Sequence, residues 1–195
     1  MNYLDQTLAQ LACDIPGATR VFHQHKLDFC CGGKVALAEA IVGRNVTAEQ
    51  ISAELAAVVP LPDDERDWRL ASRSELIDHL LARYHEVHRV QLPELIRLAK
   101  RVEHVHGERQ DCPKGLSVHL SLMLDELELH MQKEEQILFP LLRDGLLAQA
   151  AGPISVMQRE HEEHGDNLET MARLTDDNTP PPFNGMASPA LYTGL

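Results

Sequence analysis

The sequence predicts an all-α protein: a small N-terminal helical domain followed by an up-down bundle of long amphipathic helices. Three observations predict it. Between Leu116 and Leu141 the residues Leu116, Leu120, Met123, Leu127, His130, Glu134, Ile137 and Leu141 step by four and three without a break, which is one stripe of a long helix. Two other stretches carry stripes of the same kind, one from Leu81 to Val102 and one from Ile154 to Met171. Before them, Val59 to Arg73 holds Pro60, Pro62 and a dense run of charges with no periodicity, which places a linker at 59–73 and a domain boundary within it.

Residues 1–58 read as four short helices. Leu4, Leu8, Leu11 and Ala12 share a first helix, and Pro16 opens a second that carries Val21 and Phe22 and turns near His25 to Asp28. Beyond the loop Cys30-Cys31-Gly32-Gly33, a third helix carries Val35, Leu37, Ala38 and Ile41 and ends at Gly43. Thr47-Ala48-Glu49-Gln50 is a capping box opening a fourth, with Ile51, Leu55 and Val58 on one side. Fewer than about sixty residues make a thin core, so packing or dimerisation would help this domain. The bundle occupies 74–175. Its first helix runs from Ser74 to His106 with Leu81, His85, His88, Leu92, Leu95, Ala99 and Val102 aligned, and Pro93, which removes the bond back to Arg89, predicts a kink. Gly107 to Pro113 is a turn, the second helix reaches about Arg143, and Gly152-Pro153 opens a third with Ile154, Met157, His161, His164, Leu168 and Met171 aligned. Residues 176–195 read as a Pro/Gly-rich tail without another helix.

Composition narrows the function classes. A chain of 195 residues, 44% hydrophobic and 25% charged, has the make-up of an ordinary globular protein of one or two domains. Its net charge of -12 and lack of a Lys/Arg run argue against a nucleic-acid partner. No apolar run nears the roughly 20 residues that span a bilayer, and Asp5 and Gln6 stand where a signal peptide needs its apolar centre, so the expectation is a cytoplasmic protein with no membrane partner. Four cysteines, two of them adjacent, do not make a secreted disulfide framework.

The chemistry sits on the stripes. His130 and Glu134, one turn apart and aimed at the core, would each cost several kcal/mol if left unpaired. A metal would hold both; the alternative is that they lie at the edge of the core and reach water or each other. A single buried histidine is most often a hydrogen-bonded core residue. Here three long helices each place histidine inward: His85 and His88, then His130, then His161 and His164. Inward histidine and carboxylate on neighbouring helices of a bundle is how di-iron carboxylate sites are built, and the donor set favours iron or manganese over structural zinc. Glu134 is the candidate bridging carboxylate. Glu135 points about 100° away, towards solvent. Glu126 and Glu160 adjoin the stripes and read as surface charge, with support of the metal ligands as the other reading.

Adjacent thiols near a helix start, with Lys26 and Lys34 close in sequence, lie in a field that lowers thiol pKa, so Cys30 and Cys31 are candidate transfer or redox thiols. Vicinal cysteines close a mutual disulfide poorly, which leaves mixed or intermolecular disulfides easier. The plain alternative is two small half-buried hydrophobes. Cys13 and Cys112 have no such context.

Taken together, Arg83-Tyr84-His85-Glu86-Val87-His88, the block His130 to Pro140, Gly152 to Met157 and Asp28-Phe29-Cys30-Cys31-Gly32-Gly33-Lys34 closely resemble the bacterial iron-sulfur cluster repair di-iron proteins, also called RIC or ScdA-like. The resemblance covers nearly the whole chain. It implies a small N-terminal domain of the ScdA type joined to a hemerythrin-like four-helix bundle, with His85, His130, Glu134 and His161 as iron ligands of a non-haem di-iron centre and no metal assigned to His88 or His164. It implies a protein that holds or donates iron to iron-sulfur proteins damaged by nitrosative or oxidative stress, with Cys30 and Cys31 assisting transfer or docking. Two other functions fit the same family: a hemerythrin-like carrier or sensor of oxygen or nitric oxide, and reduction of nitric oxide at the di-iron site. The family's fourth helix adds a second His-x-x-x-Glu pair. Pro189 to Leu195 resembles only the lead-in to that helix, so the expectation is three helices of four, apolar stripes left open, and weaker iron binding than in a full-length relative.

Overall fold

The structure, a computed structural model, describes residues 3–29, 32–58, 68–182 and 187–195. The thiols Cys30 and Cys31 and most of the expected linker therefore lie outside the described residues. The chain divides into two compact units, Met1–Ala71 and Ser72–Leu195. All long elements are helical, and the described residues contain one isolated antiparallel bridge, Thr7 with Ala36. No helix among them is long and apolar enough to cross a membrane.

The first unit has four short helices: α1 Leu8–Asp14, α2 Ala18–Gln24, α3 Leu37–Ala40 and α4 Ala48–Ala56. Two begin with capping boxes. Thr47 accepts from the Gln50 N–H at 3.2 Å while Gln50 Oε1 accepts from the Thr47 N–H at 3.0 Å, as the sequence implied, and Thr7 with Gln10 repeats the device at α1. Such helices are too short to persist alone, and they are held by one core of Leu8, Leu11, Phe22, Leu37, Ile51 and Leu55. The Gly33 and Val35 carbonyls accept from the Ala9 and Leu8 N–H groups. The Asp28 carboxylate accepts from the Gly32 N–H at 2.8 Å.

The second unit is a bundle. Ser72 and Glu75 form a third capping box, which starts α5 Arg73–Leu80; a π turn, Leu81–His85, leads into α6 Glu86–His106. Helix α6 continues through Pro93 without ending. Helix α7 Leu116–Lys133 passes through a second π turn, Glu134–Leu138, into α8 Phe139–Arg143. Helix α9 is Leu147–Leu174. It starts six residues before Pro153, not at it, because Leu147 to Ala151 is a run of good helix formers that nucleates a turn of its own and buries Ala150.

Two further expectations change. The segment after residue 175 is not helix-free: α10 Ala187–Gly194 forms and lays Leu191, fully buried, against the cluster of Leu95, Ala99, Leu116 and Leu120. Apolar burial of one side chain is what recruits this short helix. Ile137, expected inward, is 51% exposed, and Leu138 and Phe139 are buried in its place. The π turn accounts for this: it takes one extra residue into the turn, so every position after it rotates and the inward role moves from 137 to 138. The stripes of α6, α7 and α9 meet partly on a closed core and partly on a cleft of about 420 Å³ lined by Leu92, Leu95, Met123, Leu127, Leu168 and Met171, with His88 and His164 at its edge. Leu168 is 54% exposed there.

Candidate metal centre

Four of the residues singled out from the sequence come together. His85 arrives from the end of the first π turn, Glu134 from the start of the second, His130 from the last turn of α7 and His161 from the middle of α9. His130 Nε2 lies 3.1 Å from His161 Nε2 and 3.6 Å from Glu134 Oε1. The other oxygen of Glu134 lies 3.1 Å from His85 Nε2. One donor atom each from His130, Glu134 and His161 falls within 4.8 Å of the others. His85 and His130 are buried, Glu134 is nearly so, and His161 is the most exposed of the four though its ring is partly desolvated, so the site has one accessible side. Both π turns fall at the site, where π bulges are commonly found in helices that carry function.

Each inner histidine is held from behind by a carboxylate, and each carboxylate by a cation. His85 Nδ1 is 2.8 Å from Glu135 Oε1, which also accepts from Arg89 Nη1 at 2.9 Å. His130 Nδ1 is 2.9 Å from Glu160 Oε2, and Lys133 Nζ donates to the other oxygen of Glu160 at 2.5 Å. Burial alone would raise the pKa of Glu135 and Glu160, but the bonds from Arg89 and His85 to one, and from Lys133 and His130 to the other, outweigh it and hold both below the usual carboxylate range. Both are thus ionised acceptors at neutral pH, which puts the ring hydrogen of each histidine on Nδ1 and leaves Nε2 as a bare lone pair in the neutral imidazole.

That tautomer decides what fits. The Nε2 lone pair of a neutral His85 faces a carboxylate oxygen of Glu134, and two acceptors at 3.1 Å need a proton or a cation between them. Burial, working against the nearby His85, holds the Glu134 carboxyl above its ordinary range. His130 and His161 are pushed down, burial being the largest cause for both, with the neighbouring histidines adding to it. Three imidazoles and a carboxylate converging on one point are the donor set of a divalent transition metal. The His164 Nε2 is buried with no hydrogen-bond partner among the described residues, and its ring stands edge-on to His130 with centroids 5.0 Å apart.

The sequence placed Glu135 in solvent, and the structure corrects this; for Glu160, read as surface charge with support of the metal ligands as the other reading, the contact with His130 favours the second. Glu135 comes inward because the π turn that displaces Ile137 also brings two consecutive glutamates to the site, one to each side of His85. Glu160 precedes His161 on α9 and reaches across to α7. Arg89 carried a signal that went unread: it stands four residues after His85, on the same face of the helix. Glu126 accepts from Asn167 and makes no described hydrogen bond to the four converging side chains, while His88 lines the cleft.

Comparison with known proteins gives the family. Residues 4–59 match ScdA_N, a domain of unknown function, and residues 76–192 match the hemerythrin HHE cation binding domain. Proteins named iron-sulfur cluster repair protein YtfE from Dickeya chrysanthemi (strain Ech1591), Shigella boydii serotype 4 (strain Sb227) and Escherichia coli (strain K12 / DH10B) are each 47% identical over 195 residues, which is 100% of this chain and 88% of the relative. The chain belongs to the YtfE iron-sulfur cluster repair family. Within the YtfE family frame, the four converging side chains fall inside the cation binding domain, and the Cys30-Cys31 pair falls inside ScdA_N.

Proposed function

We propose that this chain repairs iron-sulfur clusters by holding iron at the His85, Glu134, His130 and His161 site and giving it up to a damaged cluster protein. The observation that carries the reading is the convergence of those four side chains in a chain that matches YtfE repair proteins along its whole length. The two oxygens of Glu134 lie near different histidines, His85 and His130, which would let this carboxylate serve two metal ions and supports the di-iron form of the reading. When bound, the iron supplies the ion that a degraded cluster has lost and a redox-active centre beside it. The protein's own part is to keep the His130 and His161 nitrogens bare, to hold the Glu134 carboxylate in a buried place that a cation would relieve, and to leave the His161 side open for exchange.

Cys30 and Cys31 belong to this reading as the thiols that receive iron in transit or dock the client. Replacing both by Ala in the full chain should leave iron content unchanged and slow recovery of a peroxide-inactivated [4Fe–4S] enzyme by about tenfold, the scale of a lost positioning or transfer contact. Recovery at the wild-type rate would remove the thiols from the function. Failure of the iron-loaded wild type to restore the enzyme at all would overturn the repair reading itself.

A further inference from the structure

The two inner histidines are supported by parallel arrangements of unequal strength. Behind His130 stands Glu160, held by Lys133, whose side chain is 44% exposed and makes no other ion pair among those described. Behind His85 stands Glu135, held by Arg89, and Arg89 is itself fixed: its Nε donates to Glu128 Oε2 at 2.9 Å and its Nη2 to Glu128 Oε1 at 3.2 Å, while Nη1 is turned to Glu135. Glu128 is steadied in turn by Gln132 Nε2 at 3.1 Å. A guanidinium is planar and always charged, so gripping one carboxylate with two donors fixes the direction of the third. Lysine, a point charge on a flexible stem, has no such directional constraint.

We propose that Arg89 is a positioning residue for the metal centre: by clamping Glu128 of α7 it aims its remaining donor at Glu135, which locks the His85 ring in the tautomer and orientation that present Nε2 to the metal. This rests on the reading that the site holds metal. Without Arg89 the Glu135 carboxylate is free to turn to solvent, the His85 ring loses its fixed partner, and Nε2 is presented in only a fraction of molecules. Carboxylates behind metal-bound histidines act in this way, and their loss costs about 10-fold to 100-fold in metal affinity. Arg89 lies one bond further out, so the lower end applies.

The test is anaerobic titration of the full metal-free chain with ferrous iron against a chelator, with cobalt(II) as the spectroscopic probe. Arg89→Met should weaken iron binding about tenfold and alter the visible cobalt spectrum. Glu135→Gln should do the same, and the double variant should lose no more than the worse single one, because both act through one ring. Arg143→Met is the control for mere fold damage: it removes a guanidinium clamp of the same kind, from Arg143 to Ser74 and Asp78, away from the site. It should lower the melting temperature without changing affinity or spectrum. Should Arg89→Met fail to fold, Arg89→Lys takes its place, and a threefold or greater loss of affinity supports the proposal on the same scale. Wild-type affinity in either Arg89 variant overturns it, as do additive losses in the double variant or an equal loss in Arg143→Met. If the wild-type chain binds no iron, the functional reading fails before this one is reached.

Discussion

Glu134→Gln will lower ferrous iron affinity by about a hundredfold or more and, in the same protein, raise the melting temperature of the metal-free form at neutral pH. The two effects have one cause. Glu134 is a carboxylate that burial penalises, with the attraction of His85 too weak to compensate fully, so its folded-state pKa stands above the ordinary 4.5. An acid whose pKa is raised by folding subtracts stability wherever it is ionised: the loss is present above the raised pKa and disappears as pH falls below 4.5, where the folded and unfolded forms are both protonated. Gln keeps the shape and removes the charge. Thermal melts of the metal-free proteins at pH 7 should therefore favour Gln, and the advantage should vanish in acid. A Gln variant that melts lower at neutral pH and retains its iron would mean that Glu134 is a structural partner of His85 and no ligand.

Iron affinity will hold steady from alkaline pH down to about pH 6.5 and then fall steeply towards pH 4.5. The window follows from the directions of three shifts. His130 and His161 are held below the ordinary 6.5, so proton competition at these nitrogens starts only under that value. Glu134 is held above 4.5, so its proton competes earlier than for a free carboxylate. Each ligand that must shed a proton costs about tenfold in affinity per pH unit, and three together approach about a thousandfold per unit at the lower end. Chelator competition across this range would reveal it. A decline already under way between about pH 8 and about pH 7 would contradict the assignment of His130, Glu134 and His161 as the ligands that set the pH dependence, because none of these three takes up a proton in that range.

The helices were legible because burial imposes a period on the sequence. The stripes of α6 and α7 could be read from spacing alone, and so could the capping box at Thr47. What spacing could not show is a change in hydrogen-bond register. The π turn at Glu134–Leu138 leaves no compositional mark, yet it exchanges Ile137 for Leu138 in the core and turns Glu135 from a solvent residue into the partner of His85. The resemblance to a known family supplied the four ligands as a set, whereas the bare pattern offered six candidates without separating His88 and His164 from the rest. Contacts across the bundle were out of reach for a different reason. Glu160 holding His130, or Glu128 holding Arg89, depends on how two helices are set against each other, and neither sequence segment records that. Helix α10 was missed because its flanking prolines and glycines outweighed a single apolar turn, and only the tertiary burial of Leu191 favours it.

X-ray absorption at the iron edge of the loaded 195-residue chain tests the centre most directly. The account predicts nitrogen and oxygen neighbours only, with the outer-shell scattering of histidine rings, and a marked loss of that imidazole signal together with bound iron when His130 is replaced by Ala. Iron with sulfur neighbours at about 2.3 Å, or a His130→Ala protein that keeps its full iron and imidazole signal, would contradict it.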